Sequence, residues 1–348
     1  MRAALYLSAG DVVVEEVPDP VLVEPTDAVV RVLRSCVCGS DLWAWRATFE
    51  RPERSRLGHE LIGVVEEIGA GVGALRVGDL VIAPFSYSDG TCPACLGGLQ
   101  TSCPNSGSWG SPGHDGAQGE ALRIPYADAN LVVVPAGVAG TDPSQYAALL
   151  ALSDVMATGM HGVRMASTAE GGTVVVVGDG AVGLCAVLGA SRLARAARVI
   201  LLSTHAPRAE LGRAFGATDV VAARGEEAKA AVLELTGGLG AESVVEAVGT
   251  PSSWATAMDV VRDGGQIGAV GVPHTTPTLD LLPPFLRNVG VRGGICPVRA
   301  YLPELLAKVL DATIDPGPVF DTTMPLERVA DAYRAMDTRA SIKVMLTV

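Results

Sequence analysis

The 348-residue sequence is longer than one ordinary hydrophobic core supports and on that ground divides into two domains. Apolar residues make up 49%, charged residues 18%, and there are 41 glycines, a composition that excludes disorder and describes a globular chain rich in tight turns. The formal charge of −12 argues against nucleic acid and against an anionic membrane surface as partners.

The opening run "MRAALYLSAGDVVVEEV" alternates and carries Asp11, Glu15 and Glu16, so it reads as a strand pair and not as a signal peptide. No run approaches the length of a bilayer-spanning helix, and a cytoplasmic location is expected. An odd count of 7 cysteines favours thiols and metal ligation over a disulfide framework. Residues 1 to about 150 form short β-like runs ("DAVVRVLRSCVC", "ELIGVVEEIG", "DLVIAPFSYS", "ANLVVVP") broken by Gly, Pro and Asp, as in an irregular β domain. Within it, "CVCGSDLW" holds Cys36, Cys38, Ser40 and Asp41, "RLGHELIG" holds His59 and Glu60, and "DGTCPACLGGLQTSC" holds Asp89, Cys92, Cys95 and Cys103. "LSDVMATGMHG" places Asp154 just before the second texture. Taken singly, each has a plain reading: a strand Cys as core, a lone His satisfied by neighbours, Asp154 as a helix cap, Asp89-Gly90 as a turn.

From about 172 to 295 strands and helices alternate, which predicts a parallel doubly wound sheet. "TVVVVGDGAVGL" runs a buried strand into Gly178, Gly180 and Gly183 at G-x-G-x-x-G spacing. These glycines serve the tight turn, the approach to a pyrophosphate and the helix–strand packing. At the end of the next strand stand Ser203, Thr204, His205 and Arg208, with no carboxylate among them. Hydroxyls and a guanidinium suit a 2′-phosphate, so NADP is preferred to NAD; Arg208 equally reads as an exposed residue of a helix's first turn. Two helical patterns, "RAYLPELLAKVLDA" and "LERVADAYRAMD", and a closing strand "IKVMLTV" follow.

In combination these residues resemble the zinc-dependent medium-chain alcohol dehydrogenases, and the likeness covers essentially the whole chain. It implies an α/β protein: a GroES-like β-barrel catalytic domain over 1–155, a Rossmann domain over 156–295, and a return to the catalytic domain over 296–348, with the active site in the cleft between them. It implies that Cys38, His59 and Asp154 hold a catalytic zinc with one position open. Asp41 would orient His59, Glu60 would stand beside the metal as an outer carboxylate, and Cys36 would be packing. The family's structural-zinc lobe, spaced C-x-x-C-x-x-C-x7-C, falls on Asp89, Cys92, Cys95 and Cys103, which makes Asp89 the fourth ligand; His114 is the other possible donor.

The same resemblance implies hydride transfer between a nicotinamide cofactor and a small alcohol, aldehyde or ketone on zinc, with Ser40 taking the substrate proton. Thr158 and Lys343 match positions near the nicotinamide and the pyrophosphate. Many relatives carry His where this chain has Trp43, so the relay beyond Ser40 departs from the family. Trp43, Trp45 and Phe85 are expected to shape an apolar pocket, with core packing as the alternative for Trp45. A homodimer or homotetramer is expected by analogy. A zinc-independent quinone or enoyl reductase and a non-catalytic nucleotide sensor are the rival readings.

Overall fold

The computed structural model describes residues 1–135, 145–273 and 280–348. They divide into two compact units, Met1–Asp154 with Pro297–Val348, and Val155–Cys296.

The first unit is built on a seven-stranded sheet whose centre is Ala28–Cys36, paired antiparallel with both Leu61–Ile68 and Val344–Thr347. The alternation of β-branched residues along Ala28–Cys36 puts Ala28, Val30 and Val32 on one face, where they meet Leu61, Val65, Val81, Leu122 and Ile124 in a buried cluster. A second cluster forms under the helix Val329–Asp337, whose buried Val329, Ala332, Tyr333 and Met336 recur at helical spacing. Trp45 belongs to this cluster: its ring lies 5.4 Å from that of Tyr333 and its indole donates to Asp337 at 3.3 Å. Trp45 is therefore core, because the half-exposed Asp337 carboxylate at the edge of the cluster satisfies its one N–H, and it does not help to line a pocket.

The second unit carries a six-stranded, all-parallel sheet. In spatial order its strands are Asp219–Val221, Arg198–Leu202, Thr173–Val177, Ala241–Glu246, Val261–Ala269 and Gly290–Gly293. Read by sequence rank this is 3-2-1-4-5-6, the doubly wound dinucleotide-binding order. Four consecutive valines at 174–177 fit it because a central parallel strand is buried on both faces. The helix Pro251–Val260 begins with proline in its first turn behind a Thr250–Ser253 capping box, so its free N–H groups are met locally. The helix expected through "GLCAVLGASRLARA" is α-helical over Ala181–Leu188 and continues as a π-helix, Gly189–Leu193. A Cβ at Gly189 would lie 3.0 Å from the Met160 sulfur, so glycine is what lets the helix pack so closely at that point. Among the described residues no helix is long and apolar enough to cross a membrane.

Candidate functional site

Two groups of metal-ligating side chains, both in the first unit, converge among the described residues. Cys38, His59, Glu60 and Asp154 form one, with ligand atoms all within 4.8 Å of one another. Cys38 comes from the tight turn that ends the central strand, where the Asp41 carboxylate accepts from the Cys38 N–H at 2.9 Å. His59 enters just before the strand Leu61–Ile68, behind Gly58, whose φ of +84° and close approach to Gln118 leave no room for a side chain. Asp154 follows the short helix Tyr146–Ala151, a segment tied down where the Phe85 N–H donates to the Ser153 carbonyl at 3.1 Å.

The distances within this group are those of donors facing one point. His59 Nε2 lies 3.5 Å from Asp154 Oδ2, and Cys38 Sγ lies 3.9 Å from the same oxygen. His59 Nδ1 is turned to Asp41 Oδ1 at 3.4 Å, which fixes the ring and leaves Nε2 toward the group. Burial opposes a charged imidazole, yet Asp41, Cys38 and Asp154 hold His59 well above its ordinary range. The field at this point favours a cation, and thiolate, imidazole and carboxylate are zinc donors; the residues present fit the metal. Cys36 is buried in the strand outside the group, and burial pushes its thiol well up, as suits packing.

Glu60, the fourth member of the group, lies 3.8 Å from His59 Nε2, and its Oε1 accepts from Lys343 Nζ at 2.6 Å with both side chains buried. Burial lifts the Glu60 carboxyl and the Lys343 ammonium offsets this. Lys343 was expected at a pyrophosphate; the structure engages its ammonium with Glu60 and the Val37 carbonyl instead, because an isolated buried carboxylate beside an anionic group would be costly. Phe85 sets its ring edge-on to His59, with centroids 6.3 Å apart. Trp43 packs on Phe49 at 5.3 Å. Ser40 sits in the turn between Cys38 and Asp41, its carbonyl accepting from the Trp43 N–H at 3.2 Å.

Sequence reasoning missed Gln118 and Tyr333. The Tyr333 hydroxyl donates to Gln118 Oε1 at 3.2 Å, and Gln118 Nε2 donates to the Cys36 carbonyl at 2.9 Å and to Asp41 Oδ2 at 3.4 Å. This buried chain holds the carboxylate that orients His59. Gln118 and Tyr333 lie 215 residues apart, so no local motif marks them.

The second group is Asp89, Cys92, Cys95 and Cys103, again within 4.8 Å. Asp89 is fixed as an acceptor by the N–H groups of Thr91 at 2.8 Å and Cys92 at 3.0 Å and by the Asn105 amide at 2.8 Å. Cys92 Sγ lies 3.5 Å from Cys95 Sγ, and the Cys103 sulfur accepts from the N–H groups of Asp89 and Asn105. The Cys95 N–H lowers the Cys92 thiol, whereas burial pushes Cys95 up to about 11. Three crowded sulfurs and a carboxylate ionise together only around a cation, so this set also fits zinc. His114 bonds Tyr87 at 3.1 Å and is not in the group.

In the second unit the strand Thr173–Val177 opens into the glycine loop and the helix Ala181–Leu188. Gly178 has φ +117°, a Cβ at Gly183 would stand 2.0 Å from the Gly178 carbonyl, and one at Gly180 would meet nothing within 4 Å. The loop is thus closed on its own helix and open at Gly180, as a pyrophosphate requires. Thr158 is half-buried on the helix Val155–Met165.

The end of the second strand corrects one expectation. Ser203, His205 and Arg208 do come together, but around a carboxylate, Asp179, supplied by the glycine loop. Asp179 Oδ2 accepts from Ser203 Oγ at 2.7 Å and lies 2.8 Å from His205 Nδ1, while Oδ1 accepts from Arg208 Nη1 at 3.3 Å. Burial alone would raise the Asp179 carboxyl; the bonds to His205 and Ser203 and the charge of Arg208 bring it below the usual range. Thr204 is exposed and accepts from Arg224 at 3.0 Å.

Comparison with known proteins agrees with this fold. Residues 24–136 match the alcohol dehydrogenase GroES-like domain and residues 181–311 the zinc-binding dehydrogenase family. A zinc-type alcohol dehydrogenase B of Aspergillus flavus is 33% identical over 355 residues, covering 99% of this chain and 81% of that protein. An NADP-dependent isopropanol dehydrogenase of Thermoanaerobacter brockii is 32% identical over 331 residues, covering 91% and 90%. The solved structure of an alcohol dehydrogenase from Thermus sp. ATN1 superposes with a TM-score of 0.92 at 31% identity over the full length of both chains.

Proposed function

We propose, from the premise that this chain belongs to the zinc-dependent medium-chain alcohol dehydrogenases, that Cys38, His59 and Asp154 form its catalytic metal site, with NADP as the preferred cofactor. The observation that carries this reading is the convergence of those three donors, supplied by segments far apart in the sequence. Zinc held there would supply a Lewis acid that favours ionisation of an alcohol or polarises a carbonyl, and the nicotinamide would take or give the hydride.

The protein's own residues divide the remaining work. Asp41 presents His59 to the metal through Nε2, and the Lys343–Glu60 pair keeps a buried outer carboxylate balanced beside it. Ser40 accepts the substrate proton at its hydroxyl. Trp43 cannot pass that proton on, since an indole only donates, so the relay beyond Ser40 does not run through Trp43 and passes through ribose and water. Phe85, edge-on to His59, gives the site an apolar wall. Asp89, Cys92, Cys95 and Cys103 hold a structural zinc. Arg208, Arg224 and the hydroxyls of Ser203 and Thr204 support NADP, the cofactor named for the Thermoanaerobacter relative.

The substrates are small alcohols, aldehydes or ketones, with neither nucleic acid nor membrane as partner, and the protein acts in the cytoplasm. A homodimer or homotetramer is supported by exposed Leu281, Leu282, Phe285, Leu286 and Ile295, which flank the outermost strand of the six-stranded sheet in the sequence.

The test is Cys38→Ser. It is expected to lower kcat at least roughly a hundredfold across an alcohol and carbonyl panel while leaving NADPH affinity unchanged. Metal analysis of the wild type is expected to find about two zinc ions per chain. A metal-free wild type that still turns over would end the reading.

A further inference from the structure

We propose that Asp179 is a specificity-determining residue of the dinucleotide site, one that holds the margin of NADP over NAD small; this deepens the cofactor reading above and rests on it. Nicotinamide-dependent Rossmann sites commonly choose between the two cofactors with a side chain at the end of the second strand, an acid there favouring the 2′-hydroxyl. In this chain that position is Ser203, and the acid arrives from the loop that ends the neighbouring parallel strand. Asp179 is the residue between Gly178 and Gly180, and its Oδ2 stands 2.7 Å from Ser203 Oγ. The carboxylate therefore lies where a strand-end acid would place its own.

The loop that carries it is firmly set. The Ala247 N–H donates to the Val177 carbonyl at 3.0 Å, and a Cβ on Gly178 would lie 2.7 Å from a Val248 methyl, so the neighbouring strand ends hold Asp179 in place. Its side chain is 14% exposed, enough to present an oxygen edge to a ligand while keeping its charge.

The donors around it are those a 2′-phosphate would need. Ser203 and Arg208 donate to Asp179, and His205 is bonded to it through Nδ1. A phosphate close enough to share these groups is also within a few ångströms of the carboxylate, and like charges at that distance repel. A ribose 2′-hydroxyl has the opposite relation, because it donates to the same oxygen. Arg208 and Arg224 still draw the phosphate in, so NADP keeps an advantage that Asp179 reduces.

A carboxylate that merely stapled the loop to the second strand would, on removal, weaken both cofactors alike. The two roles therefore separate in the ratio of affinities. We would titrate NADPH and NADH separately into the full-length, zinc-loaded wild type, Asp179→Asn and Asp179→Ser, and read the dissociation constants by fluorescence or calorimetry rather than by turnover. Both variants are expected to bind NADPH more tightly and NADH more weakly than the wild type, moving the affinity ratio toward NADPH by roughly tenfold or more at low salt. That change should shrink as ionic strength rises. Equal weakening of both cofactors, or an unchanged ratio in whichever variant folds, overturns the role assigned to Asp179 and leaves the alcohol dehydrogenase reading standing. A wild type that binds neither dinucleotide overturns that cofactor reading and this inference with it.

Discussion

Asp27 shows how a single buried charge is made tolerable and how it should respond to acid. Its Oδ2 accepts from the N–H groups of Val23 at 2.9 Å and Glu24 at 2.8 Å and from Arg123 Nε at 2.6 Å. Burial would raise this carboxyl, but those three donors carry it below the ordinary range. A carboxyl lowered on folding contributes stability that is fully present above its unfolded pKa of about 3.9 and is lost only as pH falls through the lower folded value. Asp27→Asn is therefore expected to cost about 1.5–3 kcal/mol in urea unfolding at pH 7. The same difference should persist at pH 5; a gap that closes between those two values contradicts the assignment. The site residues differ in how legible they were. Cys38, His59, Asp154 and the Asp89 lobe were legible through the family resemblance, because each lies in a short stretch, such as "CVCGSDLW" or "RLGHELIG", that matches a family motif. Gln118, Tyr333 and the ring of donors around Asp179 were not, because each depends on partners that only folding brings together.

At the scale of elements, the strand–loop–helix over 173–188 carries the dinucleotide argument, and its tightest contact is a backbone one. Gly183→Ala would push a methyl to within 2.0 Å of the Gly178 carbonyl, so the helix Ala181–Leu188 must lift away from the loop. The expected result is dinucleotide affinity weakened by about 1–3 kcal/mol for NADPH and NADH alike, with zinc content unchanged. A titration showing normal affinity would remove the glycine loop from the binding site. This element was plain in the sequence because a valine run followed by spaced glycines has few other readings. The π-helix at Gly189–Leu193 was hidden, since the apolar pattern runs through it unbroken and the close packing of Gly189 on Met160 involves a neighbour outside the segment.

At the scale of the whole molecule, the two units hold different chemistry. Both groups of metal donors lie in Met1–Asp154, whereas Gly178, Gly180, Gly183 and Asp179 all lie in Val155–Cys296. Stripping zinc with a chelator is expected to lower the thermal transition of the first unit, because a closed four-donor site contributes folding energy. Saturable NADPH binding should survive the same treatment; its disappearance would show that the units are not independent in this respect. The parallel, doubly wound character of the Rossmann sheet was foreseeable from the alternation of elements, but its strand order was not. The central sheet of the other unit was less so, since Val344–Thr347 pairs with Ala28–Cys36 across most of the chain.

That pairing bears on how the polypeptide is made. Lys343 and Val37, 306 positions apart, meet at the buried edge of the metal group, so Glu60 has no counter-ion until the ribosome has released nearly everything between them. Domains form as units during synthesis, and Val155–Cys296 is continuous, so it has all its residues while the polypeptide on either side of it is still waiting. The nascent chain should thus acquire its nucleotide-binding half first and complete its metal-bearing half afterwards.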